Sequence, residues 1–133
     1  MGLLESLRIS GSALTAQRLR LDVIASNLAN LETTRAPTGG PYRRQKVLFA
    51  PWVPPGAGGV GVQVPAVLSE ERFRRVYDPE HPDADPDGFV TMPDINLVTE
   101  MTDLLGAVRA YEANVAALNA LRQMAQRALD LGR

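Results

Sequence analysis

The chain has no cysteine, which excludes disulfides, thiolate catalysis and cysteine-ligated zinc. It has one histidine, His81, and no motif supplies the serine and acid that a histidine relay needs. Aromatic residues are scarce, at 5%, so only a small core can be built around them. No apolar run approaches the roughly 20 residues of a membrane helix, so no membrane-spanning segment is expected. Residues 1–21 lack the basic start, apolar block and small-residue cleavage site of a secretory signal; export, where it occurs, is expected to take another route. P-loop, metalloprotease and serine-elbow signatures are missing. A net charge of -1 and a pI near 5.8 argue against nucleic acid as the main partner.

Proline is absent from both ends. All ten prolines lie between Pro37 and Pro93, and because proline breaks helix interiors, the chain divides into helix-permissive termini and an irregular middle. In the last quarter Leu97, Met101, Leu104, Val108, Tyr111, Val115, Leu118, Ala125 and Leu129 recur at steps of four and three, interrupted only by Arg122. This pattern predicts one long amphipathic helix over residues 97–129. Asn96 is its expected N-cap, Glu100 falls in its first turn where the dipole favours an acid, and Gly132 is its expected stop. In the first segment Leu7, Leu14, Leu21 and Leu28 repeat every seven residues, which predicts a second helix ending near residue 31. Asn27, Asn30, Thr33 and Thr34 gather there, and their side chains compete for backbone hydrogen bonds.

The fold class is therefore mainly α with a small β-rich middle. An axial helix over 1–31 and another over 95–133 are expected to form an antiparallel hairpin, with a Pro/Gly-rich, β-containing middle over 32–94. Strands are expected near 42–49, 60–65, 72–77 and 89–92, and 51–61 reads as a loop. Gly106, Ala110, Ala113, Ala117 and Ala120 make a second stripe on the C-terminal helix, away from the leucine seam. Alanine also suits a plain solvent face. The stripe's lack of charge favours burial against a further helix.

Two motifs point elsewhere. Gly56, Gly58 and Gly61 match a dinucleotide fingerprint, but prolines flank them where a buried strand and a helix should stand. Asp83, Asp85, Asp87 and Asp94, with Gly88 between the last two, match calcium-loop positions. Pro86 inside the loop and an aspartate in place of the final glutamate count against that reading, so an acidic Asp-Pro turn is expected. Residues 1–75 carry ten bases and five acids, while 76–133 carry four bases and ten acids; the two parts are expected to attract each other, or another copy. The arginines 43, 44, 72, 74 and 75 read as a solvated strand face.

Ser26-Asn27-Leu28-Ala29-Asn30, followed by Thr33-Thr34-Arg35 and Gly39-Gly40-Pro41-Tyr42-Arg43-Arg44, resembles the bacterial flagellar rod and hook axial proteins in the form carried by proximal-rod subunits. Residues 77–85, Gly88-Phe89-Val90, Glu100-Met101 and 109–114 resemble the same family, in register, and residues 50–61 carry none of the likeness. The resemblance implies a structural protein without a cofactor, built into the periplasmic part of the flagellar basal body after type III export. It also implies an antiparallel coiled coil of terminal helices with the middle outside. The implied partners are other rod subunits, further copies of the chain, basal-body ring or adaptor proteins and the export apparatus. The other readings of the residues are a helical adaptor or chaperone of a secretion system and, further off, a calcium-binding module.

Overall fold

The computed structural model describes residues 2–56 and 58–132. Its elements are α1 (Leu3–Ala29), β1 (Arg44–Trp52), β2 (Gly61–Glu70), β3 (Phe73–Tyr77), β4 (Phe89–Pro93) and α2 (Leu97–Leu131). The termini are helical because their apolar residues recur at helical spacing without proline, and the middle is extended because proline and β-branched residues deny it a helix. No described helix is long and apolar enough to cross a membrane.

Asn27, near the end of α1, meets Glu100 in the first turn of α2, so the two packed helices run antiparallel. They are unequal, at 27 and 35 residues. With a rise of about 1.5 Å per residue, the last turns of α2 run past the start of α1. Met124 at 57%, Leu129 at 70% and Leu131 at 88% exposure reflect that overhang.

The covered seam of α2 differs from the strict heptad reading. Ala107 is its only fully buried apolar residue, with Leu104, Val108, Tyr111, Val115, Leu118, Leu121 and Ala125 half-buried. Leu97 and Met101 are 53% and 43% exposed. A straight helix turns once per 3.6 residues and drifts against a 3.5-residue repeat, so toward the C-terminus Leu121 takes the inward position and Arg122 stands in solvent. In α1 the same drift buries Ala16, Val23, Ile24 and Asn27, while Leu7, Leu14, Leu21 and Leu28 are half-buried.

β1 and β2 form an antiparallel pair running from Arg44 opposite Glu70 to Trp52 opposite Gly61. The register shifts by one between Leu48 and Ala50, placing Phe49 against both Val64 and Pro65. Pro65 is tolerated because a bulge leaves one residue unpaired. The strands are longer than expected, and Pro51 and Trp52, read as loop, belong to β1. A two-stranded ladder has a free edge on each strand, where a missing N–H costs no bond. β3 and β4 form a second pair, with Tyr77 opposite Phe89 and Phe73 opposite Pro93. Val90 and Met92 from β4 join Ile95 among the buried apolar residues.

α1 is held on two sides, by α2 and by the β1–β2 pair. Glu5 Oε1 accepts from the Gly59 N–H at 2.9 Å. Ser12 Oγ accepts from the Val62 N–H at 3.1 Å and donates to the Ile9 carbonyl. At that crossing Gly61 has no room for a side chain: a Cβ would fall 2.6 Å from Ser12 Oγ and 2.8 Å from the Trp52 ring.

Candidate functional site

Side-chain hydrogen bonds between distant segments gather where α1 ends, β1 begins and α2 starts. The helix ends here because Asn30 turns its side chain back on the preceding turn. Asn30 Nδ2 donates to the Ser26 carbonyl at 2.7 Å, and Thr33 Oγ1 donates to Asn30 Oδ1 at 2.9 Å. The chain then makes a compact loop in which Ala36 N–H donates to the Gly40 carbonyl and Tyr42 N–H to the Thr33 carbonyl. Gly39 and Gly40 sit at φ +87 and +72, and two successive left-handed residues call for glycine. The loop delivers Tyr42 and the start of β1 beside α1.

Asn27, 1% exposed, occupies the centre. Its carboxamide reads the Gln45 backbone in both directions: Nδ2 donates to the Gln45 carbonyl and Oδ1 accepts the Gln45 N–H, each at 2.9 Å. Tyr42 OH donates to the same Oδ1, and Ser26 Oγ lies 3.1 Å from that hydroxyl. The side chain thus does for the edge of β1 what a neighbouring strand would do.

Asn27 Nδ2 also reaches Glu100 Oε2 at 3.4 Å. Glu100 is 1% exposed, and its other oxygen takes the Nε–H of Arg44. Arg44 further meets Glu70 at 3.2 Å and Asp103 at 3.9 Å. Burial by itself pulls the Arg44 guanidinium down, but the hydrogen bond and charge of Glu100, joined by Glu70, outweigh it and hold the guanidinium above its usual range. A buried carboxylate needs such a partner, because desolvation costs several kcal/mol per ion when it is unpaired.

Three carboxylates in and after the acidic loop between β3 and β4 meet three different arginines. Asp83 takes the Thr34 hydroxyl and the Arg35 guanidinium, each at 2.6 Å. Asp85 takes Arg75 at 2.6 Å and the Phe89 N–H at 2.8 Å, and Asp94 faces Arg72 at 3.6 Å. Of the four aspartates in the calcium-loop alternative, Asp83, Asp85, Asp87 and Asp94, the first, second and fourth thus each face an arginine. Among the described residues no three histidine, cysteine, aspartate or glutamate side chains converge as metal ligands do. The Thr34 hydroxyl first, then Arg35, hold the Asp83 carboxyl below the usual range. For Asp85 the Phe89 N–H leads and Arg75 adds to it, against a smaller opposing effect of desolvation.

Five of the ion pairs join a base from the first 75 residues to an acid beyond them: Arg35 to Asp83, Arg44 to Glu100 and Asp103, Arg72 to Asp94 and Arg75 to Asp85. The charge asymmetry of the sequence is thus used inside one chain. Asn27, Asn30, Thr33 and Tyr42 meet in this cluster, with Ser26 at its rim. Sequence reasoning missed Glu100 and Arg44 as its ionic half; an acid in a first turn and an arginine in a strand each have an ordinary surface explanation. Asn96 caps α2 as expected, accepting the Thr99 N–H, whereas Gly132 stops it at φ -83 without a left-handed turn. Gly106, Ala113, Ala117 and Ala120 lie exposed on α2 and Ala110 is half-buried.

Comparison with known proteins matches both ends of the chain. Residues 7–36 match the family model described as "Flagella basal body rod protein", and residues 87–131 match "Flagellar basal body rod FlgEFG protein C-terminal". The chain is 45% identical to the flagellar basal-body rod protein FlgC of Escherichia coli O6:H1 over 133 residues, covering 99% of each. It is 43% identical to FlgC of Borreliella burgdorferi over 149 residues, covering 98% of each. Against FlgC of Bacillus subtilis the identity is 42% over 145 residues, with 96% and 97% covered. The first matched segment holds the Ser26–Asn30 turn and the second holds Glu100, so both sides of the buried cluster lie within the likeness, and the chain belongs to the flagellar basal-body rod protein family.

Proposed function

We propose that the chain is a structural subunit of the flagellar basal-body rod that polymerises through its two terminal helices. The observation that carries the mechanism is surface left uncovered. The single chain exposes 8806 Å², where a compact monomer of this mass exposes about 6,800 Å². Leu97, Val98, Met101, Leu105, Met124 and Leu129 are between 43% and 73% exposed on α2 alone. A 35-residue helix with one face on α1 and apolar residues on others gains stability only when neighbours cover it.

In this reading the small-residue face of Gly106, Ala110, Ala113, Ala117 and Ala120 admits a helix of an adjacent subunit at short range. The leucines of α1 and the seam from Leu104 to Leu118 hold the hairpin together. The partners are other rod subunits and copies of the chain, with ring or adaptor proteins at the base. The site of assembly is the periplasmic part of the basal body, reached through the flagellar export apparatus. The role is mechanical, without catalysis or cofactor.

The test is deletion of the gene, complementation with a tagged copy, and isolation of basal bodies. Loss of motility with truncated rods, restored together with tagged chain in the purified rod, is expected. Intact rods in the deletion strain would refute the proposal.

A further inference from the structure

The Asn27 carboxamide covers one rung of the free edge of β1, and the next rungs are open. Because Asn27 takes both the N–H and the C=O of Gln45, those groups point away from β2. Strand geometry repeats every two residues, so the N–H and C=O of Val47 point the same way. Among the described residues they meet no partner on that side. This edge opens into a groove between α1 and β1 whose lining includes Val23, Ile24, Arg20, Lys46, Val47 and Phe49.

The groove is built unlike the surface around it. Its floor is apolar, with Val23 at 7% and Ile24 at 5% exposure, and Phe49 stands at its far end, 43% exposed. Arg44 is neutralised by Glu100, Glu70 and Asp103. Arg20 and Lys46 meet no acid among the described residues. Asp103, the one acid in the lining, already faces Arg44. Other arginines in and beside the strands are paired: Arg43 to Glu71, Arg72 to Asp94 and Arg75 to Asp85. An open strand edge above an apolar floor, flanked by two unpaired cations, fits one kind of occupant.

We propose that the β1 edge at Val47 and Phe49 accepts an extended, acidic segment of a partner polypeptide by strand addition. Main-chain bonds to Val47 supply the register, starting next to the rung that Asn27 occupies. Alternate apolar side chains settle on Val23 and Ile24, and acidic ones reach Arg20 and Lys46. The occupant cannot run far past Phe49, because Pro51 offers no N–H. This contact is separate from helix packing and does not depend on it.

The experiment titrates the ¹⁵N-labelled full chain with a synthetic octapeptide alternating glutamate and valine, and in parallel with its lysine–valine counterpart. The acidic peptide is expected to shift the Val47 and Phe49 amide resonances and slow their exchange about tenfold, the basic peptide leaving both unchanged. Reversing the two exposed or half-exposed cations, Arg20→Glu with Lys46→Glu, is expected to exchange the responses to the two peptides. Unmoved Val47 and Phe49 amides at millimolar acidic peptide overturn the proposal. An equal response to both peptides overturns the acidic occupant.

Discussion

At the residue scale, stability concentrates in a few buried polar atoms. Removing the Asn27 carboxamide takes the partner from both the Gln45 N–H and the Gln45 C=O, at about 1–3 kcal/mol for each group left unsatisfied. Asn27→Ala is expected to lower the urea midpoint accordingly. Asn27→Asp is expected to be worse, since it replaces the donor to the Gln45 carbonyl with an acceptor beside Glu100. Arg44→Leu strands the 1%-exposed Glu100 carboxylate and is expected to cost about 3–5 kcal/mol, while Arg44→Leu combined with Glu100→Leu costs less than Arg44→Leu alone. A double-mutant cycle measured by denaturation checks this; additive losses would mean that the pair does not couple. Gln17 Oε1 is a buried acceptor without a hydrogen-bond partner among the described residues. Gln17→Met is therefore expected to stabilise the isolated chain by about 1 kcal/mol, read as a higher melting temperature.

At the element scale, two joints hold the irregular middle to the helices. One is the crossing of β2 over α1, where Ser12 is fixed by two hydrogen bonds and Gly61 leaves no space for a Cβ. Gly61→Ala is expected to push the β1–β2 pair off α1 and cost about 1–3 kcal/mol, with faster amide exchange at Gly59 and Val62 as the local readout. The other joint is the acidic loop, tied to residues 34 and 35 through Asp83 and to β3 through Asp85. Both carboxyls are held below their usual values, so their contribution to stability is complete above the unfolded-state value near about 4. It is lost as the pH falls through the lower folded-state values. Loosening of the loop from Thr34 is thus expected only in acid, followed through the Thr34 and Phe89 amide shifts. A midpoint at or above the ordinary aspartate value would show that these contacts do not hold the loop in solution.

At the scale of the whole molecule, the chain is an open framework rather than a closed core. Among the described residues its fully buried apolar side chains are few: Ala16, Val23 and Ile24 on α1, Val90 and Met92 on β4, Ile95 before α2 and Ala107 on α2. Assembly is expected to depend on the exposed face of α2 more than monomer folding does. Ala113→Glu and Ala117→Glu, both at exposed positions, are expected to leave the thermal midpoint of the monomer within about 0.5 kcal/mol and to abolish incorporation into rods. Rods that still accept the double variant would remove the small-residue face from the interface.

Much of this was legible in the one-dimensional pattern, because helices and strands follow from local periodicity and from proline's missing N–H. The two long helices, the Asn96 cap, the turn after Asn30 and the four extended pieces are all written in spacing that neighbours along the chain can read. Strand ends were not, since Pro51 and Pro65 are compatible with a strand only at a free edge or a bulge, which depends on the partner strand. The fate of charge was equally non-local. Asp83, Asp85 and Asp94 are neighbours in sequence, yet in the fold they face three different arginines, Arg35, Arg75 and Arg72. Glu100 reads as an ordinary first-turn acid until the end of α1 and the start of β1 close over it. The sequence by itself determined the elements and the family, through local repeats and dispersed motifs. Tertiary structure alone decided which polar groups are buried and paired, because desolvation depends on segments far apart along the chain meeting in space.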